Sequence, residues 1–425
     1  MTHMQNIEKN ILKEHILKEL LTIIDVRQLT SQDMADIKFK ETLKSKIKKH
    51  MACQLDKTQS VNETTLEDVI DEAIGLGPIE KLLINADVSE IMINGHRDIY
   101  VEHGGVLKKT KLSFISNASL MAVIKRMLSP TGRRIDETSP MVDARLCDGS
   151  RINAIIPPLA MRGPVVTIRK FSKTTLTLHH LIEHQSITKQ SAQFLEFAVR
   201  HKKNILISGG TGTGKTTFLN AISQAITNNE RVITIEDAAE LKLNQKHIIS
   251  LETRSKNIEN KGLITIRDLL KNALRMRPDR IIIGECRSEE ALDMMQAMNT
   301  GHEGSMTTLH ANSPKDALIR LETMMLMSGM HMASQAIRNQ ISSSIDLIIQ
   351  LSRNALGKRH VSHITEVLHM ESSNILTQDL FTFDRNQKRL VSEHKYAKRF
   401  KHLDPKYHQE LKQLLFGHAL PINQL

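Results

Sequence analysis

One stretch, residues 209–216, constrains this chain more than any other. It reads Gly-Gly-Thr-Gly-Thr-Gly-Lys-Thr, follows an apolar run at residues 205–207, and precedes a segment in which Leu219, Ile222 and Ile226 recur at helical spacing. Strand, glycine-rich loop and helix in this order are the setting in which the G-x-x-x-x-G-K-S/T pattern binds phosphate. The sequence therefore predicts a phosphate-binding loop, in preference to a glycine-rich turn that carries a Lys-Thr pair by chance.

The residue types of this loop suit a bound triphosphate. Glycine tolerates positive φ and lets backbone N–H groups converge on anionic oxygens. Lys215 is placed to reach the β- and γ-phosphates, and the Thr216 hydroxyl is placed to ligate Mg²⁺. The predicted ATP-binding residues are Gly209, Gly210, Thr211, Gly212, Thr213, Gly214, Lys215, Thr216 and Thr217.

Length and composition limit the class of protein. A chain of 425 residues with 40% hydrophobic and 25% charged residues is expected to form two or three globular domains. No stretch approaches the roughly 18 uninterrupted apolar residues of a membrane span, and charges within residues 1–18 argue against a signal peptide. The three cysteines lie far apart without a CxxC pair, so we expect neither a disulfide framework nor a zinc site, and a reducing cytoplasm fits best.

The net charge of +11 indicates an acidic partner, which leaves anionic lipid, nucleic acid and nucleotide open. Proteins that bind nucleic acid usually add aromatic platforms for stacking, and this chain has no Trp, three Tyr and ten Phe. The composition therefore favours a membrane surface or a protein partner over nucleic acid.

The pattern of apolar, charged and turn-forming residues divides the chain into four predicted segments. Residues 1–62 form a helical segment, and residues 63–175 form an α+β domain with arginine-rich strands. Residues 176–385 alternate strands and helices, and residues 386–425 form a basic C-terminal tail without an assigned role. The helical segment carries two apolar stripes, through Ile7, Ile11, Leu12, Ile16 and Leu20 and through Met34, Ile37, Leu43 and Ile47.

The α+β segment is unusually rich in arginine. Most surface arginines are merely solvated, but Arg151 and Arg169 fall within alternating strands, where the planar guanidinium group can be aimed at phosphate. The arginines of this segment that the sequence singles out are Arg133, Arg134, Arg145, Arg151, Arg162 and Arg169.

After the phosphate loop, strands alternate with helices, which predicts an α/β fold with a mostly parallel sheet covered by helices. Ligands of such sheets bind at the carboxyl ends of the strands. Strands are predicted at residues 232–235, 248–251, 281–283 and 306–309, and helices at residues 265–276, 289–298 and 314–327.

Acidic residues and histidines stand at these strand ends. Glu236 and Glu285 each follow an apolar strand, where a carboxylate is costly unless it meets a cation or an ordered water. One carboxylate that holds Mg²⁺ and a second that orients the attacking water satisfy both demands, although each alone could be a helix cap or a turn residue. His302 and His310 could bond to the γ-phosphate or to a neighbouring subunit, or could be structural.

Several blocks of the chain resemble the secretion ATPase superfamily. The similarity extends over about residues 65–385 and is closest to the CpaF branch, the tight-adherence (Flp) pilus assembly ATPases that are also called TadA. The blocks are Leu-Glu-Thr-Arg at 251–254, the stretches 271–280 and 297–304, Gly-Glu-Cys-Arg at 284–287, and, in the arginine-rich segment, residues 132–137, 143–146 and 149–154.

The resemblance implies a RecA-like P-loop ATPase domain, preceded by an α+β N-terminal domain and an N-terminal helical segment. It implies a hexameric ATPase in the cytoplasm, peripherally associated with the inner membrane, whose two domains close around nucleotide. Glu236 is then the residue that polarises water and Glu285 the Walker B carboxylate near Mg²⁺, although these two roles can be exchanged. His302 and His310 are the histidine box, and the candidates for an arginine finger, in cis or in trans, are Arg145, Arg151 and Arg169.

The expected function is ATP hydrolysis that powers pilin assembly or secretion through an inner-membrane platform, in a Flp or type IV pilus or a type II secretion-like machine. One alternative is a DNA-translocating ATPase of type IV secretion or conjugation. Another is a scaffold that binds ATP and scarcely hydrolyses it, against which the intact Lys215, Thr216, Glu236 and Glu285 argue.

Overall fold

The structure is a computed structural model that divides into two compact units, Met1–Lys173 and Thr174–Leu425. It describes residues 12–20, 41–42, 45–46, 63–171, 176–254, 261–329, 332–354 and 357–417. Residues 12–20 are helical and bury Ile16 and Leu20, in agreement with the first predicted stripe. The second stripe, with Met34, Ile37, Leu43 and Ile47, lies outside the described residues.

The first unit is built on a six-stranded antiparallel sheet with the order β3-β2-β1-β6-β5-β4. The strands are β1 (Val88–Asn94), β2 (Asp98–His103), β3 (Val106–Lys109), β4 (Met141–Arg145), β5 (Arg151–Ile155) and β6 (Val165–Arg169). The helices are α1 (Glu63–Ile74), α2 (Glu80–Ile84) and α3 (Asn117–Leu128).

The core of the first unit lies between α3 and one face of this sheet. Leu120 and Ile124 of α3 pack in the same buried cluster as Ile91, Ile152 and Ile168 from three neighbouring strands. Because side chains alternate between the two faces of a strand, the residues next to these isoleucines point to the opposite face. That alternation decides where the arginines of β4, β5 and β6 point.

The second unit has a nine-stranded sheet with the order β15-β14-β13-β12-β7-β11-β10-β8-β9. The strands are β7 (Ile205–Gly209), β8 (Val232–Glu236), β9 (Ile248–Glu252), β10 (Arg280–Ile283), β11 (Met306–Leu309), β12 (Leu347–Arg353), β13 (Arg359–Glu371), β14 (Asn374–Asp384) and β15 (Arg389–Ser392). The helices are α4 (Leu178–Glu183), α5 (Lys189–Arg200), α6 (Lys215–Ser223), α7 (Ile266–Ala273), α8 (Glu290–Asn299), α9 (Pro314–Met327), α10 (Ser334–Ser344) and α11 (Pro405–Phe416).

Helices cover both faces of this sheet. Ile205 and Ile207 of β7 pack in one buried cluster with α5, α6 and α11, and Leu206 packs in the other with α7 to α10. The strands from β12 to β9 pair in parallel, which brings their carboxyl ends to one edge. The α/β fold predicted from the alternation is therefore confirmed, and each strand and helix predicted between β7 and α9 is present.

The sequence prediction missed the antiparallel part of this sheet. β13, β14 and β15 extend it beyond β12, and α10 packs against the face that also carries α7 to α9. The segment treated as a basic tail is also part of this unit, because Phe400, Leu411 and Leu415 are buried in the cluster that contains β7. In this C-terminal segment, the backbone N–H of Arg399 donates to the buried carboxylate of Glu366 in β13.

Candidate nucleotide-binding and active site

The phosphate loop joins β7 to α6 with the geometry that its glycines predict. Gly214 is the N-cap of α6 and has φ of 89°, a left-handed conformation that favours glycine. A Cβ on Gly209 would lie 2.6 Å from Thr213 Oγ1 and 2.8 Å from the carbonyl oxygen of Leu351, so a side chain cannot fit there. No side chain caps α6, so this end of the helix can receive an anion.

Lys215 is buried at the first position of α6, with 8% of its surface exposed. Its Nζ donates to the carbonyl oxygens of Gly209 and Gly210, at 3.1 Å each, and lies 3.2 Å from His310 Nδ1. The ammonium group therefore lies against the loop itself, where phosphate oxygens would replace the carbonyl groups as its partners.

The sheet brings the predicted strand-end residues together. β11 lies between β7 and β10, so His310, which follows β11, stands between the phosphate loop and Glu285, which follows β10. His310 Nε2 is 2.9 Å from Glu285 Oε1, although without the alignment of a hydrogen bond. Burial and the nearby Lys215 lower the pKa of His310, so the neutral ring can accept from Lys215 Nζ through Nδ1.

Arg287 holds the other oxygen of Glu285. Arg287 Nη2 donates to Glu285 Oε2 at 2.7 Å, and Arg287 Nη1 lies 3.3 Å from Asp237 Oδ2. Burial would raise the pKa of Glu285, but the hydrogen bond and charge of Arg287, helped by His310 and Lys215, outweigh burial and hold the pKa below its ordinary value. Glu285 is therefore an ionised carboxylate beside the phosphate loop.

These residues fit Mg²⁺ carried by a nucleotide. Glu285 Oε1 is buried without a hydrogen-bond partner, and the Thr216 hydroxyl forms no side-chain hydrogen bond within the described part of the chain. Both are the hard oxygen ligands that Mg²⁺ prefers. Among the described residues, no three His, Cys, Asp or Glu side chains could hold a metal ion by themselves, so Mg²⁺ here needs phosphate oxygens and water as further ligands.

Glu236 has a different environment from Glu285. It ends β8 with 3% of its surface exposed, and its Oε1 accepts from the backbone N–H groups of Glu240 at 2.9 Å and Leu241 at 3.1 Å. Burial raises its pKa to about 7, although these hydrogen bonds lower it. In this arrangement the Glu236 carboxyl group caps the turn after β8.

The structure does not bring the two predicted histidines together. β11 runs parallel to β7, with Met306 opposite Ile205 at the start of both strands. His302 precedes β11 and His310 follows it, so they lie at opposite ends of this strand. A joint role for this pair at the γ-phosphate is therefore corrected: His310 is at the phosphate loop, and His302 is at the edge where the strands begin.

The three arginines predicted as finger candidates form a row in the first unit. Arg145 of β4 is opposite Arg151 of β5, which is opposite Arg169 of β6, and β1 continues the row with Glu90. They point away from the buried face that carries Ile152. Like charges directly opposite each other are destabilising, and Glu90 offsets part of this repulsion, because its Oε1 lies 3.9 Å from Arg169 Nε. Phe171 lies beneath the Arg145 guanidinium at 5.8 Å.

Comparison with known proteins shows relatives along most of the chain. A sequence model of the family described as Type II/IV secretion system protein matches residues 72–399. The type IV secretion system protein VirB11 of Bartonella quintana is 32% identical over 345 residues, which cover 72% of this chain and 96% of that protein. A putative conjugal transfer protein of Mycobacterium tuberculosis is 32% identical over 320 residues, which cover 74% of this chain and 90% of that protein.

A solved structure shares the fold. The X-ray structure of the ATPase DotB of Yersinia pseudotuberculosis superposes with a TM-score of 0.50 at 17% identity and covers 75% of this chain and 82% of that one. Within the part of the chain that the structure describes, no helix is long and apolar enough to cross a membrane.

The phosphate loop, its lysine and the strand-end carboxylates on a RecA-like sheet define a P-loop ATP hydrolase. The chain belongs to the type II/IV secretion system protein family. The predicted superfamily, fold class and enzyme class are thus confirmed, while closeness to the CpaF branch stays a prediction.

Proposed function

We propose that this ATPase powers pilin assembly or secretion through an inner-membrane platform protein, as a homo-hexamer at the cytoplasmic surface of that membrane. The observation that carries the proposal is the contact series from Lys215 through His310 to Glu285, which links the phosphate loop to the ends of two further strands. Hydrolysis or release of the bound phosphates can therefore shift the ends of β10 and β11 through these contacts. A motor needs such coupling between the nucleotide and the strands, whereas a passive nucleotide-binding scaffold does not need it.

Catalysis in this proposal comes mainly from positioning and charge. Phosphoryl transfer requires little covalent help from protein, so Lys215 and the N-terminus of α6 hold the phosphates while His310 orients the lysine. Mg²⁺, when bound with ATP through Thr216 and Glu285, neutralises phosphate charge. An arginine from the row in the first unit would supply the remaining positive charge.

Glu236 remains our proposed acceptor of the water proton. A carboxyl group with a pKa near 7 suits proton transfer at neutral pH. The N–H groups of Glu240 and Leu241 bond mainly to its Oε1, so lone pairs on the carboxylate stay available to accept a proton. Glu236→Gln should then bind ATP without hydrolysing it, whereas normal hydrolysis in Glu236→Gln and none in Glu285→Gln would exchange the two roles.

The first test is turnover by the purified full chain, measured as phosphate release with excess ATP. Lys215→Ala should abolish hydrolysis and leave the thermal melting curve intact, because the loop still forms when the ammonium group is lost. Lys412→Ala, which removes an exposed lysine of α11, is the matched control and should keep turnover. Near-normal hydrolysis by Lys215→Ala would refute the site.

The second test separates the proposed machine from its main rival, a DNA-translocating ATPase, which the net charge of +11 and the conjugal transfer relative support. Vesicles with anionic lipid and single-stranded DNA are added in parallel to the hydrolysis assay. Stimulation by vesicles alone supports the pilus or secretion role. Stimulation by DNA that falls steeply with salt would instead establish the rival.

A further inference from the structure

The hairpin of β12 and β13 lies beside the phosphate loop. β12 pairs in parallel with β7, and Leu351 stands opposite Gly209, the last residue of β7. Arg353 lies two residues further along β12 and pairs with Arg359 of β13. The strand pair therefore continues past the end of β7, and it carries these two arginines alongside the loop. Residues 355–356, between the strands, lie outside the described residues.

Both arginine side chains lie close to glycines of the loop. A Cβ placed on Gly212 would be 3.8 Å from Arg353 Nη1. One placed on Gly214 would be 3.5 Å from Arg359 Cδ and 4.0 Å from Arg359 Nη1. The two guanidinium groups thus form a wall along the loop that the motif itself does not encode.

This wall is strongly cationic. It carries the guanidinium groups of Arg353 and Arg359, and residues 353–360 include no carboxylate. Arg359 is exposed, and within the described parts of the chain no carboxylate pairs with it. Cations collected beside Lys215 repel one another, so the arrangement is best satisfied when an anion binds among them.

The backbone of the hairpin is fixed in place. Ser186 Oγ donates to the carbonyl oxygen of Arg359 at 3.0 Å, and Val361 N donates to the carbonyl oxygen of Ser186 at 2.9 Å. Arg353 Nε donates across the hairpin to the carbonyl oxygen of Gly357 at 3.1 Å. The arginines are therefore presented by an ordered support, which reduces the entropy lost when they bind a ligand.

The order of the strands indicates which end of the nucleotide meets this wall. His310 and Glu285 stand on the β11 side of β7, so the γ-phosphate belongs there. The hairpin stands on the opposite side of β7. We propose that Arg353 and Arg359 form the nucleoside half of the ATP site, where guanidinium groups bond to the α-phosphate and stack on the base. This rests on nucleotide binding by the phosphate loop and is independent of the machine that the ATPase serves.

The experiment measures binding of ADP and of inorganic pyrophosphate to the full chain by calorimetry, each with Mg²⁺ present. Arg353→Ala and Arg359→Ala should each lower ADP affinity about tenfold or more, as expected for a lost charge-assisted contact. Affinity for pyrophosphate, which can fill the β- and γ-phosphate positions and has neither an α-phosphate nor a nucleoside, should change far less. Arg359→Lys keeps the charge but loses the planar group, so it should also weaken ADP binding.

Lys358→Ala is the matched control, because it removes a cation of the same hairpin whose Nζ bonds to Gln185 Oε1 at 2.9 Å. It should bind ADP like the unmodified chain. Equal losses of ADP and pyrophosphate affinity in the arginine variants, or no loss of ADP affinity, would overturn the proposal. Lys215→Ala should lose affinity for both ligands, and if it does not, the phosphate-loop assignment itself fails.

Discussion

Glu236 couples the stability of the ATPase unit to pH. Burial raises its pKa to about 7 in the folded chain, although two backbone N–H groups donate to it. In the unfolded chain a glutamate has an ordinary pKa of about 4.3. The folded state therefore favours the neutral carboxyl group. The contribution of this group to the free energy of unfolding is fully present at pH values below the unfolded pKa. Stability then falls as the pH rises toward 7 and the group ionises in the folded chain.

Glu236→Gln should remove this pH dependence, since an amide oxygen can still accept from Glu240 N and Leu241 N and does not ionise. The unmodified chain should lose roughly 3 kcal/mol of unfolding free energy across this window, relative to the variant. Urea unfolding at about pH 5 and about pH 8 measures the difference. Glu410→Gln, which changes an exposed carboxyl group of α11, is the control and should keep the pH dependence. If Glu236→Gln and the unmodified chain differ equally at both pH values, the carboxyl group is not buried as described.

Residues set at fixed offsets by a motif were predictable, and residues set by side-chain orientation were not. Lys215 and Glu285 follow from the loop pattern and from the apolar strand before each acid. The bridge that Arg287 forms between Glu285 and Asp237 depends on how two loops approach each other, which no local pattern contains. His302 could have been placed better, because the strand correctly predicted at 306–309 already separates it from His310.

At the scale of elements, local signals predicted β7, the loop and α6, because an apolar run and helical spacing stand next to each other. β13 and β14 lacked so plain a signal. Glu366 of β13 is fully buried, which contradicts a pattern of apolar core positions. In the folded chain its carboxylate oxygens accept from the backbone N–H groups of Lys398 and Arg399. These two residues belong to the predicted C-terminal tail, so no local pattern links them to β13.

The C-terminal helix α11 should therefore contribute to the stability of the ATPase unit. Leu411 is fully buried among residues of β7 and α5, so Leu411→Ala should cost about 2–5 kcal/mol of unfolding free energy. Urea unfolding of the full chain measures this cost, and Lys412→Ala, at the neighbouring exposed position, should have little effect. A loss below about 0.5 kcal/mol in Leu411→Ala would mean that α11 is not docked.

At the scale of the whole molecule, the arginine row and the phosphate loop belong to different compact units. Arg145, Arg151 and Arg169 are in the first unit, and the phosphate loop is in the second. In a ring of identical subunits each interface joins two different surfaces, so an arginine of one chain can serve the nucleotide of the next. We predict this arrangement for the proposed hexamer, with the arginine row completing the site of a neighbouring subunit.

Mixed rings test whether the arginines act in trans. Arg151→Ala and Lys215→Ala should each be inactive alone. If the arginine serves its neighbour, a ring assembled from both variants contains interfaces where an intact Lys215 meets an intact Arg151, and phosphate release returns. If the arginine serves its own chain, each subunit carries one defect and the mixture stays inactive. Return of hydrolysis on mixing, with none when either variant is mixed with itself, is the expected outcome, and gel filtration of the mixture verifies that rings form.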